Sequence, residues 1–164
     1  MNNSFGLRLP HNPELERVVL GLLVIFPEFI ATVLEILQPR DFYSEKHKRV
    51  YSKLLEMLWG AKTIDLVLLS NELIHDDLVT PAFLGSLLDG VPKSSISNLD
   101  AYNRELKTLS LARNVLISCQ KAIEEPLNYE ESFLALQSCL EKYFDFKNKK
   151  ASSEGLIEKA VGCH

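Results

Sequence analysis

Apolar residues recur along most of this chain at three- and four-residue spacing, and the breaks carry proline, glycine and N-capping side chains. Leu15, Val18, Val19, Leu22, Leu23 and Phe26 make one broad apolar face, the pattern of an amphipathic helix. Asn12 followed by Pro13 supplies an N-cap and a first-turn proline, and Glu14 and Glu16 stand where the helix dipole favours acids. Pro27 ends that helix and opens the next, striped with Ile30, Val33, Leu34 and Leu37 and stopped by Pro39. Arg40 to Tyr43 is a short link whose two aromatics are expected to plug the core. A third helix is predicted from a Ser44 cap to a Gly60 stop, with Val50, Tyr51, Leu54, Leu55 and Leu58 inward. A fourth runs from Asp65 through Ile74, rich enough in leucine that a strand is only the alternative. A fifth runs from Thr80-Pro81 to Gly90, and Val91 to Ser97 is a Pro/Ser loop.

The second half changes character. Asn98 caps a helix that meets no proline or glycine until Pro126, about 28 residues or roughly 42 Å at 1.5 Å per residue. Asn128, with Glu131 completing a capping box, opens another that is expected to run to about Lys147. Two long helices joined by a Pro-Leu turn predict an antiparallel hairpin. Leu109, Ala112, Leu116, Cys119 and Ile123 on one arm, and Phe133, Leu136, Leu140 and Tyr143 on the other, step at coiled-coil spacing. Apolar residues remain off that seam: Leu106, Leu111, Val115 and Ile117 on the first arm, Leu134, Phe144 and Phe146 on the second. The fold class is therefore all-α: a compact multi-helix globular head followed by a long antiparallel helical hairpin. The boundaries are a disordered N-terminal arm at 1–11, the head at 12–97, the dimerising hairpin at 98–147, and a linker with the start of a linker helix at 148–164.

Composition adds exclusions. The chain has 164 residues, 24% charged and 46% hydrophobic, with a formal net charge of −4, so neither disorder nor a global pull toward nucleic acid is indicated. Three cysteines, at 119, 139 and 163, do not make a disulfide framework. The longest apolar run, Val18 to Phe26, falls far short of the ~20 residues of a membrane span. A reducing, cytoplasmic setting without a membrane is the expectation.

Catalytic chemistry is missing from the pattern. The seven glycines are isolated and none precedes a Lys-Ser/Thr pair, so there is no phosphate-cradling loop. The four histidines and three cysteines never reach metal-ligand spacing. His47 reads as packing, Asp76-Asp77 as a solvated turn, and Cys119 and Cys139 as small apolar residues. Lys46, Lys48, Arg49 and Lys53 share one helix with Glu45 and Glu56, and Lys147, Lys149 and Lys150 lie on the tail. A solvated mixed-charge face is the reading, with weak phosphate contact as the alternative. No catalytic, cofactor or metal residue is assigned.

In order and spacing, residues 10 to about 148 resemble the N-terminal domain of the bacterial replicative hexameric helicase family, DnaB. The resemblance rests on Pro10-His11-Asn12-Pro13-Glu14-Leu15-Glu16, Val19-Leu20-Gly21, Asp41-Phe42-Tyr43, His47 and Val50-Tyr51. It continues through Gly60, Ile64-Asp65, Leu69, Pro92, Asn98, Ala101-Tyr102 and Arg113. The family's Gly-Gly turn before the fifth helix is absent, and Asp76-Asp77-Leu78-Val79-Thr80 stands there instead. The family's ATPase motor is absent too, so helicase activity does not carry over to these residues, although a full-length parent would be an ATP-dependent DNA helicase. The resemblance implies an assembly and protein-docking collar whose hairpins pair between subunits, as a dimer or as a trimer of dimers in a hexamer. It implies docking of a primase C-terminal domain and a helicase loader, little or no DNA contact, and no cofactor, with ATP and magnesium confined to the missing motor. The alternatives are the helicase-binding C-terminal domain of a primase, or a free-standing helical adaptor. For the hairpin, Leu109, Leu116, Ile123, Phe133, Leu136 and Leu140 are expected to form the seam. Leu106, Leu111, Val115 and Leu134 are expected to face outward for self-association.

Overall fold

The computed structural model describes residues 8–124 and 128–161, with backbone only from 150 onward. Residues 1–7 of the expected arm, and Cys163 and His164, lie outside the described residues. Among the described residues seven α-helices follow in order: α1 (Pro13–Ile25), α2 (Ile30–Leu34), α3 (Glu45–Trp59), α4 (Leu66–Glu72), α5 (Pro81–Ser86), α6 (Leu99–Glu124) and α7 (Tyr129–Val161). No strand occurs among the described residues, so the leucine-dense fourth element is helix.

The helix starts follow from local chemistry. Asn12 Oδ1 accepts from the Leu15 amide at 3.0 Å, Asp65 Oδ1 from Leu68 at 2.8 Å, and Thr80 Oγ1 from Phe83 at 3.2 Å, each satisfying an amide that the helix cannot. Ser44 precedes α3 without making such a bond. α3 ends at Trp59 with Gly60 as its C-cap, the expected stop; Gly60 itself has φ −78, and the left-handed residue is Ala61 at φ 49. Pro27–Phe29, Pro39–Asp41 and Lys93–Asn98 are 3-10 turns, so the Pro/Ser loop carries helical structure of its own.

The chain divides into two compact units, His11–Ser110 and Leu111 onward together with the residues up to Pro10. The first is the head. One core runs through it: Val19, Leu20, Leu22 and Leu23 of α1, Ile30 and Val33 of α2, Val50, Tyr51, Leu54 and Leu55 of α3, then Leu69, Leu84 and Leu87. Leu99 and Leu106 close this core, so the head reaches Ser110 rather than ending at residue 97. Phe42 is fully buried against Tyr51, with ring centroids 4.9 Å apart, whereas Tyr43 is exposed. Only one of the two link aromatics plugs the core.

In the second unit the arms of the hairpin belong to α6 and α7. Expected to stop near Lys147, α7 stays helical to Val161. Eight of the fourteen residues 148–161 are Lys, Ala, Glu or Leu, strong helix formers, against one glycine, Gly155, and no proline. The expected linker is therefore continuous helix as far as it is described. Among the described residues no single helix is long and apolar enough to cross a membrane.

Candidate interaction surface

Several of the residues that carried the family resemblance, Glu16, Asp41, Tyr43 and His47, meet around two buried carboxylates in the head. Glu16, on the inner face of α1 and 1% exposed, accepts from the amide of Tyr43 at 2.5 Å, the amide of Ser44 at 3.2 Å and His47 Nδ1 at 2.7 Å. Burial pushes this carboxyl up, but the bonds from His47, Tyr43 and Ser44 outweigh it and hold the group below its ordinary value. Asp41, 3% exposed, accepts from the Gln38 amide at 2.7 Å, Lys107 Nζ at 2.8 Å and Ser110 Oγ at 2.6 Å. Burial, with the Asp41 carboxylate nearby, raises the Tyr51 hydroxyl, which donates to the Leu37 carbonyl at 3.1 Å. Both acids therefore anchor the segment 38–47 to its neighbours. Glu16 is more than a favourable dipole charge, a role that only tertiary contact could reveal. His47 packs as expected: its ring lies 5.6 Å from that of Phe83, and His11 stacks on Tyr43 at 4.3 Å.

The basic helix face is occupied by its own acids. Lys48 pairs with Glu45 at 3.2 Å, Lys53 with Glu56, and Arg49 with Asp76 at 2.8 Å. Asp76 also accepts from the amides of Leu78 and Val79, at 2.8 and 2.9 Å, and so closes the turn that replaces the family's Gly-Gly. The Arg49 guanidinium is the main cause holding its carboxyl below the usual range. Among the described residues no group of His, Cys, Asp or Glu is placed to hold a metal. Cys119 and Cys139 are free and half-buried.

Among its exposed charged and polar positions the second unit presents several large apolar side chains. Ile117 is 48% exposed, Ile123 77%, Phe133 62%, Leu134 68% and Phe144 55%. On α7, Phe133, Gln137, Leu140 and Phe144 step 4-3-4, one outer stripe of a helix. A shallow groove lined by Phe133, Leu134, Leu136, Gln137 and Leu140, with Glu130 at its edge, runs along it.

The expected stripes are partly exchanged. Ser118 Oγ meets Cys139 Sγ at 3.4 Å across the two arms. Leu111 and Val115 share the Ser118 face at i−7 and i−3, so that face of α6 turns toward the other arm rather than outward. The matching face of α7 is Ser132, Leu136, Cys139, Tyr143 and Phe146, all buried or half-buried. Leu106 is 2% exposed within the head core, which removes it from any outward face. Ile123 and Phe133 are exposed and leave the seam, whereas Leu109, Leu116, Leu136 and Leu140 are half-buried. Leu134 is outward as expected. The physical reason is angular: each residue advances ~100° around a helix, so two apolar stripes separated by a residue or two look alike in spacing. On the head, Trp59, Val67 and Ile74 are also exposed, at 69%, 69% and 66%. No periodicity singles out Trp59, which is lone in sequence.

Together these features define a class: an all-α domain that exposes large apolar side chains on its long helices, with its buried acids spent on holding the fold. The DnaB-like helicase N terminal domain family matches residues 8–108, and the chain belongs to that family. The replicative DNA helicase DnaB of Treponema pallidum is 29% identical over 146 residues, covering 86% of this chain and 33% of that protein. The replicative DNA helicase DnaC of Bacillus subtilis is 26% identical over 137 residues, covering 81% and 30%. The chain thus spans about a third of the length of the curated relatives it matches. The crystal structure of the N-terminal domain of DnaB helicase from Mycobacterium tuberculosis superposes with a TM-score of 0.71 at 24% identity, covering 82% of this chain and 99% of that one. The fold is shared over nearly all of that domain.

Proposed function

We propose that these residues form the assembly and docking collar of a replicative DNA helicase, and that they carry no nucleotide chemistry of their own. The observation that supports this reading is the exposed apolar face of the hairpin, Ile117, Ile123, Phe133, Leu134 and Phe144, in a chain that belongs to the helicase N-terminal family. A head with its own core has no need of that surface. A two-fold pairing of hairpins buries it as a four-helix packing and is self-complementary. Repetition around a ring makes a dimer or a trimer of dimers, and the collar so formed docks a primase C-terminal domain and a helicase loader. ATP and magnesium belong to a motor domain outside these residues. The family match favours this over the primase-domain alternative.

Sedimentation of the purified chain over a range of concentrations tests the pairing. The expected result is a dimer or larger, reduced to monomer by Leu134→Asp with the helical signal retained. A chain that stays monomeric at high micromolar concentration rejects it. Calorimetry with a cognate primase C-terminal domain tests the docking, and silence with both partners folded rejects that part.

A further inference from the structure

The head-facing stripe of α6 is unlike the other buried faces of the head. Leu99, Asn103, Leu106 and Ser110 step 4-3-4 along one side and are 4%, 2%, 2% and 3% exposed. Half of that stripe is polar. The corresponding stripe of α1 is Glu16, Val19, Leu20 and Leu23, and that of α3 is His47, Val50, Tyr51, Leu54 and Leu55; their polar groups are all satisfied, Glu16 with His47 and the Tyr51 hydroxyl with the Leu37 carbonyl. On α6 the polar groups fare differently. Ser110 Oγ reaches Asp41 Oδ1 at 2.6 Å, and Lys107 Nζ, one residue off the stripe, reaches Asp41 Oδ2 at 2.8 Å. Asn103 Oδ1 is buried with no hydrogen-bond partner. A buried acceptor without a donor favours any opening that returns it to water.

We infer that residues 99–110 form a releasable latch on the head, held shut by Asp41 and biased toward opening by the orphaned Asn103 acceptor. The latch opens as a unit while α1 to α5 stay folded, because nineteen of the twenty-one residues of their core lie outside α6, which adds only Leu99 and Leu106. The inference concerns this chain's own packing and does not depend on the collar reading.

Native-state amide hydrogen exchange on the full chain tests it. The amides of 103–110 are expected to exchange through an opening that leaves the amides of 19–24 and 50–57 protected. Asp41→Asn keeps the shape but removes the charge that holds Lys107 and Ser110. It should speed exchange at 103–110 by on the order of tenfold to a hundredfold without changing the α1 and α3 amides. Asn103→Leu removes the orphaned acceptor and should slow the same amides by about tenfold. Exchange of 103–110 only together with α1 and α3, in global unfolding, overturns the proposal. So does an Asn103→Leu protein whose 103–110 amides exchange as fast as before or faster, and this second variant decides if Asp41→Asn fails to fold.

Discussion

Gly21 lies in the interior of α1 where the end of α5 crosses it, and replacing it with alanine sets two effects of opposite sign against each other. Alanine is the better helix former by about 1 kcal/mol. Its Cβ, however, would stand 2.3 Å from the Leu87 carbonyl oxygen and 3.1 Å from Val91 Cγ2, the former more than 1 Å inside an ordinary contact of about 3.5 Å. The obstacle is backbone, and it is held in place. Arg17 Nη1 donates to the carbonyls of Ser86, Leu87 and Asp89 at 3.0, 3.2 and 2.8 Å, so retreat of Leu87 breaks this clamp. Overpacking of this kind costs about 1–3 kcal/mol or more, and a clamped backbone places it at the upper end. The net expectation is destabilisation by about 1–2 kcal/mol, or about 2–4 °C of melting temperature per kcal/mol at this chain length. Gly85→Ala is the control: it lies in α5, and its Cβ would meet nothing within 4 Å, so up to about 1 kcal/mol of propensity is gained with no clash. Urea and thermal melts of the two variants beside the parent protein make the measurement. A Gly21→Ala protein as stable as Gly85→Ala would refute the close crossing of α1 and the α5 end.

The Glu16 carboxyl is held below its ordinary value of 4.5, so its contribution is fully present above that pH and is lost as pH falls through the lower folded value. Glu16→Gln should lower stability near neutral pH by about 1.5–3 kcal/mol and flatten the acid limb of a stability–pH curve; an unchanged acid limb would show that the group does not titrate with folding. Ala61→Gly relieves a left-handed alanine at φ 49 and should raise stability by about 1 kcal/mol in the same melts. On the hairpin, Leu134→Asp and Phe144→Asp should shift the sedimenting species toward monomer with circular dichroism intact, whereas Val115→Asp should cost helical signal as well. Equal behaviour of all three would mean that the stripes are misassigned. The purified chain should release no phosphate from ATP above background, and turnover above background that stays with the chain through successive purification steps would contradict the non-enzymatic reading.

Much of this architecture was legible in one dimension because it rests on local rules. Asn12, Asp65 and Thr80 cap the helices they precede, and Pro13 and Pro81 open theirs. Helix or strand at each apolar run is a question of period, and a 3.6-residue period is written in the sequence itself. Motif order was legible too, and it named the family. Tertiary structure decided the rest. Glu16 and Asp41 look like exposed acids, and only the approach of residues 38–47 and 107–110 turns them into buried anchors. Leu106 and Leu111 read as surplus, yet both are buried, Leu106 within the head core. Sequence spacing fixes which residues share a helix face but not the rotation of that face toward its neighbours. That rotation is set by side chains distant in the chain, as Ser118 meeting Cys139 shows for α6.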